Sequence, residues 1–267
     1  VEGGSGTRNR GNNFTRGFAP FLVDYIAPDG SYGWLYEPAT NPAGVDTVGG
    51  EPLGRGAGFV RPSNYALFDV WKDYWNDMRN SKYNMKREFY FNNPDYAYYK
   101  QKWDPAIHVT REKDTGRYVY HYSLKVEGPF FQGGEANYKG RTTKDAYLIR
   151  LAETYLLRAE AYFRKGDMQN AANDINVVRA RANAPAIAAG DVSLDYILDE
   201  RARELITEEP RMRTLIRMDS LHQRVRKYDI DSVSRLTIQE HNKFWPIPQS
   251  AIDANTGGIL QQNDGYQ

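Results

Sequence analysis

Trp34, with Tyr32 before it and Tyr36 after it, sits between Pro28-Asp29-Gly30 and Pro38, where turn residues leave little periodic packing to account for three large rings. Such a cluster can lay an indole or a phenol on the apolar C–H face of a sugar ring while amides and guanidiniums bond the hydroxyls. Asn13 and Arg16, upstream in the same stretch, supply those polar groups, so Trp34, Tyr36, Tyr32, Arg16 and Asn13 are the candidate ligand contacts. A stacked ring covers about 60 Å², which at roughly 25 cal/mol per Å² contributes about 1.5 kcal/mol. Two or three such rings with a few hydrogen bonds reach about millimolar to high micromolar affinity, which suits capture followed by release. A second aromatic group, Trp71, Tyr74 and Trp75, falls at helical spacing and reads as core.

Catalytic chemistry finds less support. Glu200, Glu204, Glu208 and Arg211 fall near one helical face with Arg201 among them, but alternating signs at these spacings make helix-stabilising pairs and a buried ion-pair network. The set is read as structural, and no catalytic residue is assigned. His108, His121, His222 and His241 are far apart and form no H-E-x-x-H or H-x-H pattern, so no metal ligands are assigned. Gly54-Arg55-Gly56-Ala57-Gly58 lacks the G-x-G-x-x-G spacing and a following Lys-Ser/Thr, and no G-x-S-x-G occurs. The absence of cysteine removes disulfides, Cys-bound zinc and a thiol nucleophile. No cofactor is expected.

The elements that must position these residues change character along the chain. Residues 1–62 are rich in Gly and Pro and predict long loops. Ser63 can cap a helix whose apolar side is Leu67, Val70, Trp71, Tyr74 and Trp75, and residues 85–91 read as a strand. Residues 106–110 and 117–126 alternate around Lys113-Asp114-Thr115-Gly116 and predict a hairpin. From Asp145 the pattern is helical: 146–164 and 168–182 form a pair, 193–207 buries Ile197, Ala202, Leu205 and Ile206, and 212–228 breaks near Asp219 after Pro210. The tail is extended around Pro246-Ile247-Pro248, with a short helix at 250–254. Two parts follow: 1–144, aromatic and loop-rich with short strands, and 145–267, helical.

Ala159, Tyr162, Gly166, Ala171, Ile175 and Val178, with Tyr155 ahead of them, fall at the spacings of one tetratricopeptide unit, where small residues let two helices approach and large ones fill the seam. Further blocks follow in order: Glu200-Arg201 to Leu205 with Glu208 and Arg211, then Pro246-Ile247-Pro248, then Gln262-Asn263-Asp264-Gly265-Tyr266. Their order resembles the C-terminal half of the SusD/RagB family of outer-membrane glycan-capturing lipoproteins. The chain departs from that pattern at Glu209, Met212, Thr214 and Asp264, all helix-end or tail positions. The resemblance implies a mainly α, SusD-like helical fold with a tetratricopeptide-like helix pair, long loops and a small β-hairpin. It implies non-catalytic binding of an oligosaccharide at the cell surface, handed to a SusC-like TonB-dependent outer-membrane transporter. It also implies a lipid anchor on an N-terminal half that this chain does not carry.

Composition agrees with that class without selecting it. With 40% hydrophobic residues and a mean hydropathy of −0.72 the chain can bury a core, and no window approaches 18 consecutive apolar residues. Lys and Arg number 35 against 34 for Asp and Glu, which argues against nucleic acid held by bulk charge and favours neutral partners. Three other functions compete: peptide binding in the same type of uptake system, a glycoside hydrolase needing two carboxylates about 5 to 9 Å apart, and a helical scaffold binding proteins on the 155–182 hairpin.

Overall fold

A computed structural model describes residues 17–35, 56–126 and 145–266, and the chain divides into two units, Val1–Glu208 and Glu209–Gln267. The fold is mainly helical; among the described residues its sheet is one two-stranded pairing. The change from loops to helices near residue 145 and the division at 208 are different boundaries, since the loop-rich part and the helix pair share the first unit.

In the first unit Ser63 caps helix α1, accepting from the Ala66 amide at 3.4 Å, but α1 covers only Asn64–Leu67. Phe68 leaves the helical region (φ −134°, ψ −54°), and Asp69–Trp71 is a 3-10 turn. Trp71, Tyr74 and Trp75 therefore do not share a face. Trp71 is buried with its indole N–H on the Ala66 carbonyl at 3.0 Å, Tyr74 is half-buried, and Trp75 is 52% exposed. Further along, Asp77 accepts from the Arg79 amide at 2.9 Å and caps a second 3-10 turn, Met78–Asn80, so the polar run after Trp75 bonds locally and does not resume the helix.

Strand β1, Met85–Lys86, pairs antiparallel with β2, Tyr122–Ser123. The strand expected over 85–91 stops there, and Tyr90 meets Lys102 only in an isolated bridge. No hairpin forms around 113–116. Instead Pro105–His108 make helix α2 and Asp114–Tyr118 wind into a π turn. The buried Asp114 carboxylate decides this, accepting from the Thr110 amide (3.0 Å) and hydroxyl (3.1 Å) and from the Arg111 amide (2.9 Å) and Nε (3.0 Å). That closes a local turn where a hairpin would need open strands. Around these elements packs an aromatic core that includes Tyr25, Trp34, Phe89, Phe91, Tyr96 and Tyr122.

The helical pair is α3, Leu151–Arg164, and α4, Met168–Arg181. Gly166 joins them at φ 78°, with its own amide on the Phe163 carbonyl (3.0 Å) and the Asp167 amide on the Tyr162 carbonyl (2.9 Å), the two bonds of a Schellman end. Asp167 then caps α4 through the Asn170 amide at 3.1 Å. Ala159, Ala171 and Ala172 are buried where the helices cross, with Leu156, Ile175 and Val178 filling beside them. Helix α5, Leu194–Glu204, starts at the Ser193 cap and buries Ile197, Leu198 and the following Leu205. Ala202 and Ile206, expected buried, are half-buried; Glu200, Arg201, Arg203 and Glu204 take the interior instead.

In the second unit α6, Arg211–Arg217, and α7, Leu221–Tyr228, are separated where Asp219 enters the left-handed region at φ 51°. Helices α8, Ser232–Thr237, and α9, Gln249–Ala254, follow. The Gln262 side chain clasps the tail, accepting from the Ile247 amide at 2.7 Å and donating to the Ile247 carbonyl at 2.9 Å. Asn263 donates to the Trp245 carbonyl (2.7 Å) and the Tyr266 hydroxyl to the Phe244 carbonyl (2.8 Å). Pro246 and Pro248 bring no N–H to a ladder, so amide side chains stand in for the missing strand.

Candidate functional site

The first unit holds a groove of about 640 Å³ lined by Trp75, Asn76, Asp77, Asn80, Ser81, Lys82, Met85, Lys86, Arg87, Glu88 and Tyr90. It is an aromatic and polar surface set between the loop after the 3-10 turn and strand β1. Trp75 and Tyr90 are 52% and 45% exposed. One face of the Trp75 ring carries the Arg87 guanidinium at 4.9 Å, and Arg87 also lies over Phe68 at 5.3 Å. Asn80 ties the loop together, donating to the Trp75 carbonyl at 2.9 Å and accepting from Arg87 Nη2 at 2.5 Å. Rings held by backbone and guanidinium contacts, with amides, a hydroxyl and ammonium groups beside them, form a surface able to bind a polyhydroxylated ligand.

A buried ion network fixes that loop. Arg79 holds both oxygens of Asp77 (Nε to Oδ1 3.0 Å, Nη2 to Oδ2 2.6 Å), and its Nη1 reaches Glu200 at 2.8 Å and Glu204 at 3.0 Å. Arg179 and Arg203 also bond Glu200, each at 3.0 Å. Burial would push the Glu200 carboxyl up, but Arg203, Arg79 and Arg179 outweigh it and hold it below the usual range. Arg150 joins Glu204 at 2.6 Å and Glu208 at 2.5 Å, and Arg181 also bonds Glu204. Arg201 reaches Glu153 at 3.4 Å. The carboxylates that the sequence assigned to an ion network are in one, and they pin the groove loop to α5. Arg211 belongs to the second unit, where it meets Glu209 at 3.4 Å.

Trp34 is not a surface platform. It is 1% exposed, its ring packed against Phe91 at 4.6 Å and Tyr25 at 5.4 Å. Gly33 permits this close packing, because a Cβ there would meet the Phe91 ring at 2.7 Å. A ring this deeply buried has no face to offer a sugar. Tyr32 is 51% exposed, its carbonyl accepting from Asn93 at 2.6 Å. Tyr36, Arg16 and Asn13 lie outside the described residues. Trp75, assigned to core by helical spacing, instead lines the groove with about half its surface exposed. The signal against that assignment was Asn76, Asp77, Asn80, Ser81 and Asn84, a density of turn formers that a helix would not carry.

Of the two carboxylates lining the groove, the Asp77 side chain is fully buried under Arg79, and Glu88 bonds Lys102 at 2.5 Å. Among the described residues no three His, Cys, Asp or Glu side chains are grouped to hold a metal ion, and no helix is long and apolar enough to cross a membrane.

Comparison with known proteins fits this arrangement. The chain belongs to the SusD family, whose sequence profile matches residues 63–266. It is 35% identical over 125 residues to the starch-binding protein SusD of Bacteroides thetaiotaomicron, an alignment covering 46% of this chain and 22% of that protein. A laminarin-binding SusD-like protein shares the fold with a TM-score of 0.56 at 23% identity, covering 96% of this chain and 44% of the other. The structure of BT4246 does so with a TM-score of 0.54 at 16% identity, covering 96% and 49%. The chain thus spans less than half the length of these relatives.

Proposed function

We propose that the protein binds an oligosaccharide without transforming it, and that the groove around Trp75 is the contact surface. The observation carrying this reading is the half-exposed Trp75 ring set among amide, hydroxyl and cationic side chains in a groove of ligand size. Relatives named for binding starch and laminarin support a saccharide as the ligand class. Only Glu88 among the lining carboxylates is exposed, which fits retention better than the paired-carboxylate chemistry of hydrolysis. Tyr32 is exposed but does not line this groove, and is proposed only as a separate surface contact. The wider role proposed is capture at the outer-membrane surface by a lipid-anchored protein and delivery to a SusC-like TonB-dependent transporter.

Calorimetry with maltooligosaccharides and laminarin oligosaccharides, alongside a reducing-end assay, tests the reading. The expected result is micromolar to millimolar binding with no new reducing ends, weakened about 5- to 30-fold by Trp75→Ala, the scale of one stacked ring. New reducing ends would make the protein a hydrolase. Saccharide binding that ignores Trp75→Ala would move the site elsewhere.

A further inference from the structure

We infer that the groove takes an anionic substituent of an acidic saccharide, a carboxylate or a sulfate ester, against Arg87 and Lys82. The inference rests on the groove reading above and adds the charge class of its ligand. Across the whole sequence cations and anions nearly cancel at 35 to 34, but the balance does not hold locally. Both lining carboxylates are engaged, Asp77 by Arg79 and Glu88 by Lys102.

Arg87 differs from Arg79, although both are withdrawn from water. Its partners are neutral: Nη2 donates to the Leu67 carbonyl at 2.7 Å and to Asn80, and Nη1 lies 3.4 Å from His121 Nδ1. The rings of Phe68 and Trp75 cover its plane, its buried Nε has no hydrogen-bond partner, and among the described residues no carboxylate is in ion-pair distance. Burial works against both guanidiniums. At Arg79, Asp77 and Glu200 more than offset it and raise the pKa, whereas at Arg87 nothing offsets it and the pKa falls.

His121 reports the same field. Burial first, then Arg87, Arg61 and Lys102, push its pKa down to about 4, so at pH 7 it is a neutral neighbour of Arg87. Lys82, on the exposed side of the groove, has its ammonium 5.3 Å from the Tyr83 ring and likewise no described carboxylate partner. A guanidinium with spare donor capacity on Nη1 and an exposed ammonium lining the same groove form a receptor for planar carboxylate or tetrahedral sulfate oxygens. Arg87 covers one face of the Trp75 ring at 4.9 Å, so a sugar stacks on the other face and its acidic substituent reaches the cations past the ring edge.

The test uses matched pairs: a uronic-acid tetrasaccharide with its methyl ester, and a sulfated galactan tetrasaccharide with its desulfated form. Calorimetry at 50 and 300 mM salt should show the acidic member of one pair or both binding at least about tenfold tighter at low salt, with the advantage shrinking at high salt. The pair showing the preference identifies carboxylate or sulfate. Arg87→Met should cut the acid-to-neutral ratio, and so should Lys82→Ser, whose exposed side chain carries little folding risk. Trp75→Ala should weaken acidic and neutral members alike. Equal affinity within both pairs, with both weakened by Trp75→Ala, overturns the charge inference and leaves the groove standing. An acidic preference untouched by both cation variants also overturns it. If no saccharide's binding depends on Trp75, the groove reading falls and takes this inference with it.

Discussion

The indole N–H of Trp34 donates to the carbonyl of Tyr90 at 2.8 Å, across 56 positions of sequence. The tryptophan expected to stack on a ligand instead fixes the backbone of an aromatic residue that lines the groove. Its direct contribution is to the core, where its ring meets Tyr25 and Phe91.

Trp34→Ala should accordingly cost about 3–5 kcal/mol of stability, the range for emptying a large buried aromatic site. Denaturant unfolding measures this. A variant with parental stability but weakened glycan binding would restore Trp34 to the surface.

The Arg79 guanidinium is shared by Asp77, Glu200 and Glu204, and all three carboxylate side chains are buried. Arg79→Ala leaves them in the interior with that cation gone, so a loss of about 3–5 kcal/mol is expected. Because Asp77 lines the groove, amide exchange over residues 75–82 should accelerate as well. Unchanged unfolding midpoints would show that Arg179 and Arg203 suffice for Glu200 and Arg150 for Glu204, and that Asp77 tolerates the loss.

How far the sequence carried depended on whether the deciding contacts were local. The α3–α4 pair was legible because Ala159, Gly166, Asp167 and Ala171 act within a few residues of one another, through turn geometry and helix crossing. The same holds for the break at Asp219. The hairpin around 113–116 was misread because alternation of side chains cannot reveal that Asp114 folds back on Thr110 and Arg111. The exchange of roles between Trp34 and Trp75 was hidden for a different reason. Burial of Trp34 is set by Phe91 and Tyr90, more than 50 residues away, and exposure of Trp75 by the early end of α1. The acidic residues of α5 were read as an ion network from their spacing, but their partner Arg79, 121 residues from Glu200, had no signal of its own.

In the second unit, the pairing of Pro246-Ile247-Pro248 with Gln262 gives a physical reason for two motifs that the sequence shows only as an order. Gln262→Ala removes two hydrogen bonds to Ile247 at about 1 kcal/mol each, so the unit should lose about 2 kcal/mol. Gln262→Glu keeps an acceptor for the Ile247 amide but no donor for its carbonyl, and should fall between. Hydrogen exchange at the Ile247 amide reads both variants; protection equal to the parent in Gln262→Ala would rule out the clasp.

The last expectation concerns pH. The His121 ring packs edge-on to Phe68 at 5.4 Å, and burial together with Arg87, Arg61 and Lys102 lowers its pKa to about 4. An unfolded histidine titrates near 6.5, so between those values the unfolded chain binds a proton that the folded chain refuses. Stability from this group is complete above about pH 6.5, declines as pH falls toward 4, and changes no further below that. Allowing for solvent screening at a side chain that is only partly buried, the swing should be about 2 kcal/mol. Asp114 and Glu200, whose pKa values are held low, add their own acid sensitivity at lower pH, so the contribution must be isolated by difference. His121→Gln removes the titration while keeping a polar side chain. Between pH 7.5 and 4.5 the parent should lose up to about 2 kcal/mol of unfolding free energy relative to the variant, because only the parent loses the His121 contribution. Parallel curves would mean that His121 titrates alike in both states, and that neither burial nor the positive field of Arg87 and Arg61 acts on it.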